Sequence, residues 1–254
     1  MLLTGSKGVI PGIKDETKGN RANREDLVGG ISMNSGKEFR HVKCQELPDI
    51  PKANIDGKRH YRTPVGLLIS ITTLLSSFVP DTIKQWREKV GDDVANYVMR
   101  IAANRGSKVH KMVELTLSNK PVGDIPEYGV LAVALFKIIE PALQKIDNIR
   151  ALEQPIYSEE LGVAGTADAI CDFEGTPSVV DFKTTSKMRD KESIENYFLQ
   201  CTFYSIAWEE LTGEKIEKII IVMVSEDGKT EIFRDSPSEY APKLIGLIKE
   251  YKNA

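Results

Sequence analysis

Three charged side chains fall in two adjacent strand-like runs: Asp168 in "GTADAICDF", and Asp181 with Lys183 in "PSVVDFKTT". Aspartate is among the poorest strand formers, so each acid needs a reason to be there. A two-residue turn at Glu174-Gly175, or a four-residue turn over 173–176, makes paired positions of a hairpin sum to 349. Asp168 and Asp181 then face one another with Cβ atoms roughly 5 Å apart. Like charges directly opposite destabilise a hairpin, and a divalent cation between them reverses the sign. Side chains alternate along a strand, so Lys183 shares their face while Val180 and Phe182 point into the core. Two carboxylates and an ammonium on one face suit hydrolysis of a phosphodiester. Mg²⁺ takes oxygen ligands and keeps waters, and Lys183 can orient or deprotonate the attacking water or stabilise the charge that builds on phosphorus. A loop of three or five residues would separate the acids onto opposite faces.

The rest of the composition narrows the options. The chain has 254 residues, a formal net charge of -3 and no global pull toward nucleic acid, which leaves any attraction to a local basic groove or to bound cations. Its three cysteines, Cys44, Cys171 and Cys201, form no C-x-x-C pair. They exclude a four-cysteine iron–sulfur cluster or structural zinc within one chain. No apolar run reaches the length of a membrane span, and the N-terminal apolar stretch is too short for a secretory signal, so the expected location is cytoplasmic. Neither a G-x-S-x-G elbow nor a Walker G-x-x-x-x-G-K-[ST] loop is present.

Elements that could position the acids follow from hydrophobic periodicity. Residues 1–45, rich in Gly, Lys, Asn and Ser and mildly basic, read as a disordered tail. Order is expected near Arg59, with two short strands in "RHYRTPVGLLI" and Ser70 as N-cap of an apolar helix over 71–78. A helix carrying Trp86 should end at Gly91, and helical spacing runs from Asp92 to about Leu117, interrupted by Gly106. A further helix is expected over 127–146. Beyond Asn148 the order reads β-β-β-α-β-β-α, with helices over about 193–211 and 237–251. This is an α/β chain: a domain over 46–254, with a helical cap over about 70–148 and a sheet core over about 149–254.

The wider constellation resembles the PD-(D/E)XK nuclease superfamily in its RecB-like exonuclease branch. "GTADAI" and "VVDFKTTS" resemble its two acid strands, "RGSKVHKMVE" its histidine helix and "QCTFY" its Q-x-x-x-Y helix. "SITTLLSSFVPDTIKQWREKVG" is similar to the helical cap of the branch that contains the mitochondrial genome maintenance exonucleases and phage relatives. The resemblance spans about Tyr61 to Tyr251. It implies a restriction-endonuclease-like mixed sheet flanked by helices, and a Mg²⁺- or Mn²⁺-dependent DNA exonuclease using one or two ions. The metal ligands would be Asp168, Asp181, His110 and the Phe182 backbone carbonyl, with Lys183 acting on water. Glu153, in "ALEQPIY", stands where such nucleases often have a further acid, and a sheet-edge surface charge explains it as well. Glu114, one turn from His110, could orient its ring or simply lie on a solvated face. Gln200 and Tyr204, on one helix face by their i, i+4 spacing, could bond phosphate oxygens. Thr184, Thr185, Ser186, Arg105 and Lys108 are further DNA-binding candidates, and Trp86 and Tyr97 could stack on bases or pack in the core. The implied partner is DNA, single-stranded and threaded under the cap, in replication, repair or recombination with possible partner proteins and no membrane. Alternatives are a structure-selective endonuclease of the same fold and an inert DNA-binding subunit.

Overall fold

The computed structural model describes residues 36–78, 81–123 and 125–254. Most of the expected tail lies outside these residues. Its last part is built into the domain: Phe39 is 2% exposed within the core, and His41 bridges to Ile149. Order therefore begins ahead of Arg59, and a strand missed in the sequence, β1 (Lys52–Ile55), precedes β2 (Lys58–Thr63) and β3 (Gly66–Ser70). Their hairpin edge is polar and alternates weakly, which hides β1 from a hydrophobic pattern.

Helices α1 (Ile71–Ser76), α2 (Asp81–Val90) and α3 (Asp92–Leu117) follow, and α3 runs through Gly106 without a break. The expected helix over 127–146 is instead two pieces, α4 (Ile125–Tyr128) and α5 (Val130–Leu143). Gly129 between them has φ 86°, a left-handed conformation that no helix interior accommodates. The chain is already in β4 (Ile146–Ser158) by the residue where the helix was expected to end. Strands β5 (Val163–Phe173) and β6 (Thr176–Thr185), helix α6 (Glu195–Thr212), strands β7 (Lys218–Ser225) and β8 (Thr230–Asp235), and helix α7 (Pro237–Asn253) complete the order. The strand and helix sequence after Asn148 is as expected.

The eight strands among the described residues form one mixed sheet. Helices α3 and α5 bury Val109, Met112, Phe136 and Ile139 on one face, against Val180, Phe182 and Val222. Helices α1, α6 and α7 bury Leu74, Phe198, Trp208 and Leu244 on the other, against Val179, Ile170 and Ile219. Helix α6 is buried on all sides from Phe198 to Ser205, as suits a helix packed between a sheet and a second helix.

The β5–β6 hairpin has the expected register: Ala169 pairs with Val180 and Phe173 with Thr176. Its two-residue turn places Glu174 at φ 51° and Gly175 at φ 79°, the double positive φ that matches strand twist. One topological feature decides where a site can form. Strand β4 occupies one edge of β5 from Val163 to Phe173. On the opposite edge β6 pairs only with 169–173, and β3 pairs in parallel with Val163 and Ala164. The edge between them, around Thr166 and Asp168, is left open, so the sheet forks there.

Candidate active site

The fork lets side chains from both helical layers meet. Strand β6 continues past Val180 paired only with β7, carrying Asp181 and Lys183 toward α6 and the Phe182 ring toward α3. Asp168 bridges the fork: its Oδ2 accepts a hydrogen bond from the Phe182 backbone N–H at 3.0 Å. From α3, His110 reaches through with Nε2 2.5 Å from the Phe182 carbonyl and Nδ1 3.4 Å from Asp168 Oδ2. Glu153 approaches the same nitrogen at 3.9 Å. It lies in β4 between Leu152, paired with Ala169, and Gln154, paired with Ala167, which puts it beside Asp168. Its backbone has φ 46°, a conformation that costs a non-glycine residue about 1–2 kcal/mol. His110, Glu153 and Asp168 offer ligand atoms all within 4.8 Å of one another.

Asp181 belongs to a second, closed group. Only 1% exposed, it forms an ion pair with Lys183 through Oδ2, which takes no other partner. Its Oδ1 accepts from Gln200 Nε2 at 3.3 Å, and Gln200 also donates to the Tyr204 hydroxyl at 2.9 Å. Lys183 lies 4.8 Å from the centre of the Tyr197 ring. The two acids thus share the expected side of the hairpin, and both feel Lys183, but their direct contacts differ. Asp168 groups with His110 and Glu153, and Asp181 with Lys183 and Gln200.

Electrostatics follows the packing. Burial disfavours a charged His110, but the adjacent Asp168 and Glu153 outweigh it and raise its pKa to about 10. A protonated ring therefore neutralises the acids. Burial also opposes ionisation of Asp168, yet His110, Lys183 and the Phe182 N–H hold its pKa below the usual value. Burial raises the pKa of Asp181, with Lys183 pulling the other way. For Lys183, burial is overcome by Asp181 and Asp168, and the ammonium is held above its ordinary range.

One pocket of about 460 Å³ collects His110, Glu153, Asp168, Lys183, Gln200 and Tyr204. Glu114 also lines it but pairs with Lys111 at 2.7 Å rather than with His110. Other candidates stand elsewhere. Arg105 is tied to Glu226, and Thr185 donates to the Lys187 carbonyl at 2.9 Å. Thr184 packs where α3 comes close, since a Cβ on Gly106 would sit 3.5 Å from its hydroxyl. Lys108 and Ser186 do not line the pocket either. Trp86 is half-buried, and Tyr97 is 58% exposed with Arg100 over its ring. Lys52, Arg59, Tyr61, Ser70 and Thr166 also line the pocket and were not among the expected site residues; Lys52 sits in the unexpected β1, and the others lie in expected elements whose approach to the site depends on sheet pairing.

Residues 87–243 match the PD-(D/E)XK nuclease superfamily, and the chain belongs to it. It is similar to mitochondrial genome maintenance exonuclease 1 of Homo sapiens, 24% identical over 182 residues, which is 66% of this chain and 52% of that protein. The Mus musculus protein of the same name is 28% identical over 204 residues, 72% of this chain and 58% of that one. The chain thus spans little more than half the length of these relatives. Among solved structures, a Eubacterium rectale protein named as a candidate exonuclease is 16% identical, covering 59% of this chain and 68% of its own, with a TM-score of 0.40. No helix among the described residues is long and apolar enough to cross a membrane.

Proposed function

We propose that this chain is a divalent-metal-dependent deoxyribonuclease, an exonuclease acting on single-stranded DNA or DNA ends in replication, repair or recombination. The observation that carries the reading is the convergence of His110, Glu153, Asp168 and Lys183 on one pocket at the fork of the sheet. The shared name of the two relatives favours an exonuclease over an endonuclease.

The donor set fits a hard or borderline cation. Two carboxylates and an imidazole converge, and the acids already need a positive charge, now carried by His110. The imidazole favours Mn²⁺ relative to an all-oxygen site. His110, Glu153 and Asp168 would hold the ion; the Phe182 carbonyl faces the ring's other nitrogen, Nε2, and would join only if the ring turned. When bound, Mg²⁺ or Mn²⁺ neutralises phosphate charge and lowers the pKa of water.

The chain's own residues supply the remainder. Lys183, held as a cation by Asp181 and Asp168, orients water and stabilises charge on phosphorus. Asp181 fixes that ammonium, and Gln200 fixes Asp181. A water oxygen attacks phosphorus in line, and the bond from phosphorus to the 3′ oxygen breaks. The products are a 5′-phosphate and a 3′-hydroxyl, the latter taking up a proton.

End-labelled single- and double-stranded DNA with Mg²⁺, Mn²⁺ or chelator, with wild type and Asp181→Ala, tests the reading. Metal-dependent shortening from an end, lost in the variant, is expected. Degradation that survives both chelator and substitution would refute the mechanism, and end-binding without cleavage under either metal would make the chain a DNA-binding subunit.

A further inference from the structure

Two cations that line the pocket, Lys52 and Arg59, have no place in the chemistry above. Lys52 pairs across the first hairpin with Tyr61, and Asn54 with Arg59. Cross-strand partners share a face, as do residues two apart, so Lys52, Arg59 and Tyr61 lie on the same face. Tyr61 anchors that face beside the site. It is 1% exposed, and its hydroxyl lies 2.9 Å from Thr166 Oγ1, two residues before Asp168.

Lys52 and Arg59 both line the pocket, and among the described residues neither forms an ion pair with a carboxylate. Arg59 lies against the Tyr61 hydroxyl instead. Other cations around the site are committed: Lys183 to Asp181, Lys111 to Glu114 and Arg105 to Glu226. The hydroxyls of Ser70 and Thr72, 2.7 Å apart, line the same pocket. The pocket thus combines acidic side chains with two cations that no carboxylate pairs and with hydroxyl donors. A ligand that suits this lining brings its own anions to those cations.

We infer that Lys52 and Arg59 form a backbone clamp, holding a nucleic-acid phosphate that neighbours the one cleaved between Asp168 and Lys183. This rests on the nuclease reading for the identity of the ligand. The planar fork of Arg59 suits two phosphate oxygens, and Lys52 adds a point charge. Such contacts fix position and affinity and carry no base preference. The clamp accounts for a nucleic-acid site on a chain with net negative charge: attraction is local, placed by β1 and β2.

The test is binding of fluorescein-labelled oligothymidine in chelator, by anisotropy across a salt series. The proteins are full-length wild type, Lys52→Gln, Arg59→Gln, the double variant and Lys249→Gln on α7 as control. Each pocket substitution should weaken binding roughly five- to tenfold at low salt. Each should also flatten the slope of log Kd against log salt by about 0.7, and the double by about 1.4. Lys249→Gln should match wild type. Lys52 and Arg59 are exposed, so an unchanged urea midpoint separates loss of binding from loss of fold. Pocket variants with wild-type affinity and slope overturn the clamp, and so does absence of binding by wild type, whereas the nuclease reading is decided by cleavage with Mg²⁺ or Mn²⁺. A wild type that binds with the predicted salt dependence yet cleaves with neither Mg²⁺ nor Mn²⁺ upholds the clamp and refutes the nuclease reading.

Discussion

Gly165, three residues before Asp168, can be tested without assuming any activity. A Cβ there would lie 2.7 Å from Tyr204 Cε1, 3.0 Å from Ile71 Cγ2 and 3.3 Å from the Tyr204 hydroxyl. Carbon contacts settle at about 3.5–4.0 Å, so Gly165→Ala forces the ring back by about 1 Å. Neither neighbour has room, since Tyr204 is 1% and Ile71 0% exposed. Overpacking of this kind costs about 1–3 kcal/mol. Displacing the ring also strains the hydrogen bond from Gln200 to the Tyr204 hydroxyl, worth about 0.5–1.5 kcal/mol. The expected loss is therefore about 2–4 kcal/mol in urea unfolding. A double-mutant cycle with Tyr204→Leu isolates the contact. With the ring gone, Gly165→Ala should become milder, giving a coupling of about 1–2 kcal/mol. A loss below about 0.5 kcal/mol, or an additive cycle, would show that β5 has slack at this point and that the close approach does not position Gln200 and Asp181.

Three further outcomes follow from the geometry. Mn²⁺ should raise the thermal midpoint of wild type over chelator by binding linkage, and Asp168→Asn should abolish the shift; an equal shift in the variant would move the ion elsewhere. Glu153→Gly relieves the positive φ of 46°, so its urea midpoint should be no lower than wild type, with a gain of up to about 1 kcal/mol. The same variant should lose most of the Mn²⁺ shift, and a large destabilisation would contradict the backbone argument. Glu174, beside Lys145 and Arg234, has a pKa lowered from 4.5 to about 2 by hydrogen bonds to both. A depressed carboxylate contributes stability above its unfolded pKa and loses it as pH falls through the folded value. The advantage of wild type over Glu174→Gln should thus hold above about pH 5 and fade between about 4.5 and 2. Because the pair is exposed, the effect should not exceed about 1 kcal/mol, read as urea midpoints at the two ends of that range.

What could be read from the sequence was local. The register of β5 on β6 is set by the Glu174-Gly175 turn, so the shared side of Asp168, Asp181 and Lys183 was accessible from spacing alone. Gln200 and Tyr204 likewise follow from one helical turn. The grouping of the acids was not accessible, because it depends on β3 reaching Val163 and Ala164 from residues 69 and 70. That distant pairing opens the fork and admits His110 from the opposite layer. Arg105, Thr184 and Thr185 looked like phosphate contacts from composition near the motif, yet their partners, Glu226, the α3 surface and the Lys187 carbonyl, depend on three-dimensional packing. Lys52 was missed because β1 lacks the apolar alternation that marks a strand, and Arg59, in an expected strand, because its place in the pocket depends on the pairing of β2 with β1 and β3.

The fork gives two acids in neighbouring strands different surroundings. Asp168 and Glu153 keep accessible side chains, 12% and 37% exposed, and share a positive charge that His110 now provides. A cation entering the pocket competes with that proton, so metal affinity should rise with pH as the ring deprotonates. Asp181 faces the opposite constraint. Its carboxylate is buried between Lys183 and Gln200. In this arrangement it pairs with the one ammonium that also faces Asp168. Removing Asp168 should therefore abolish metal binding. Removing Asp181 should spare much of that binding while misplacing Lys183, and a loss of both in each variant would show that the two groups act as one site.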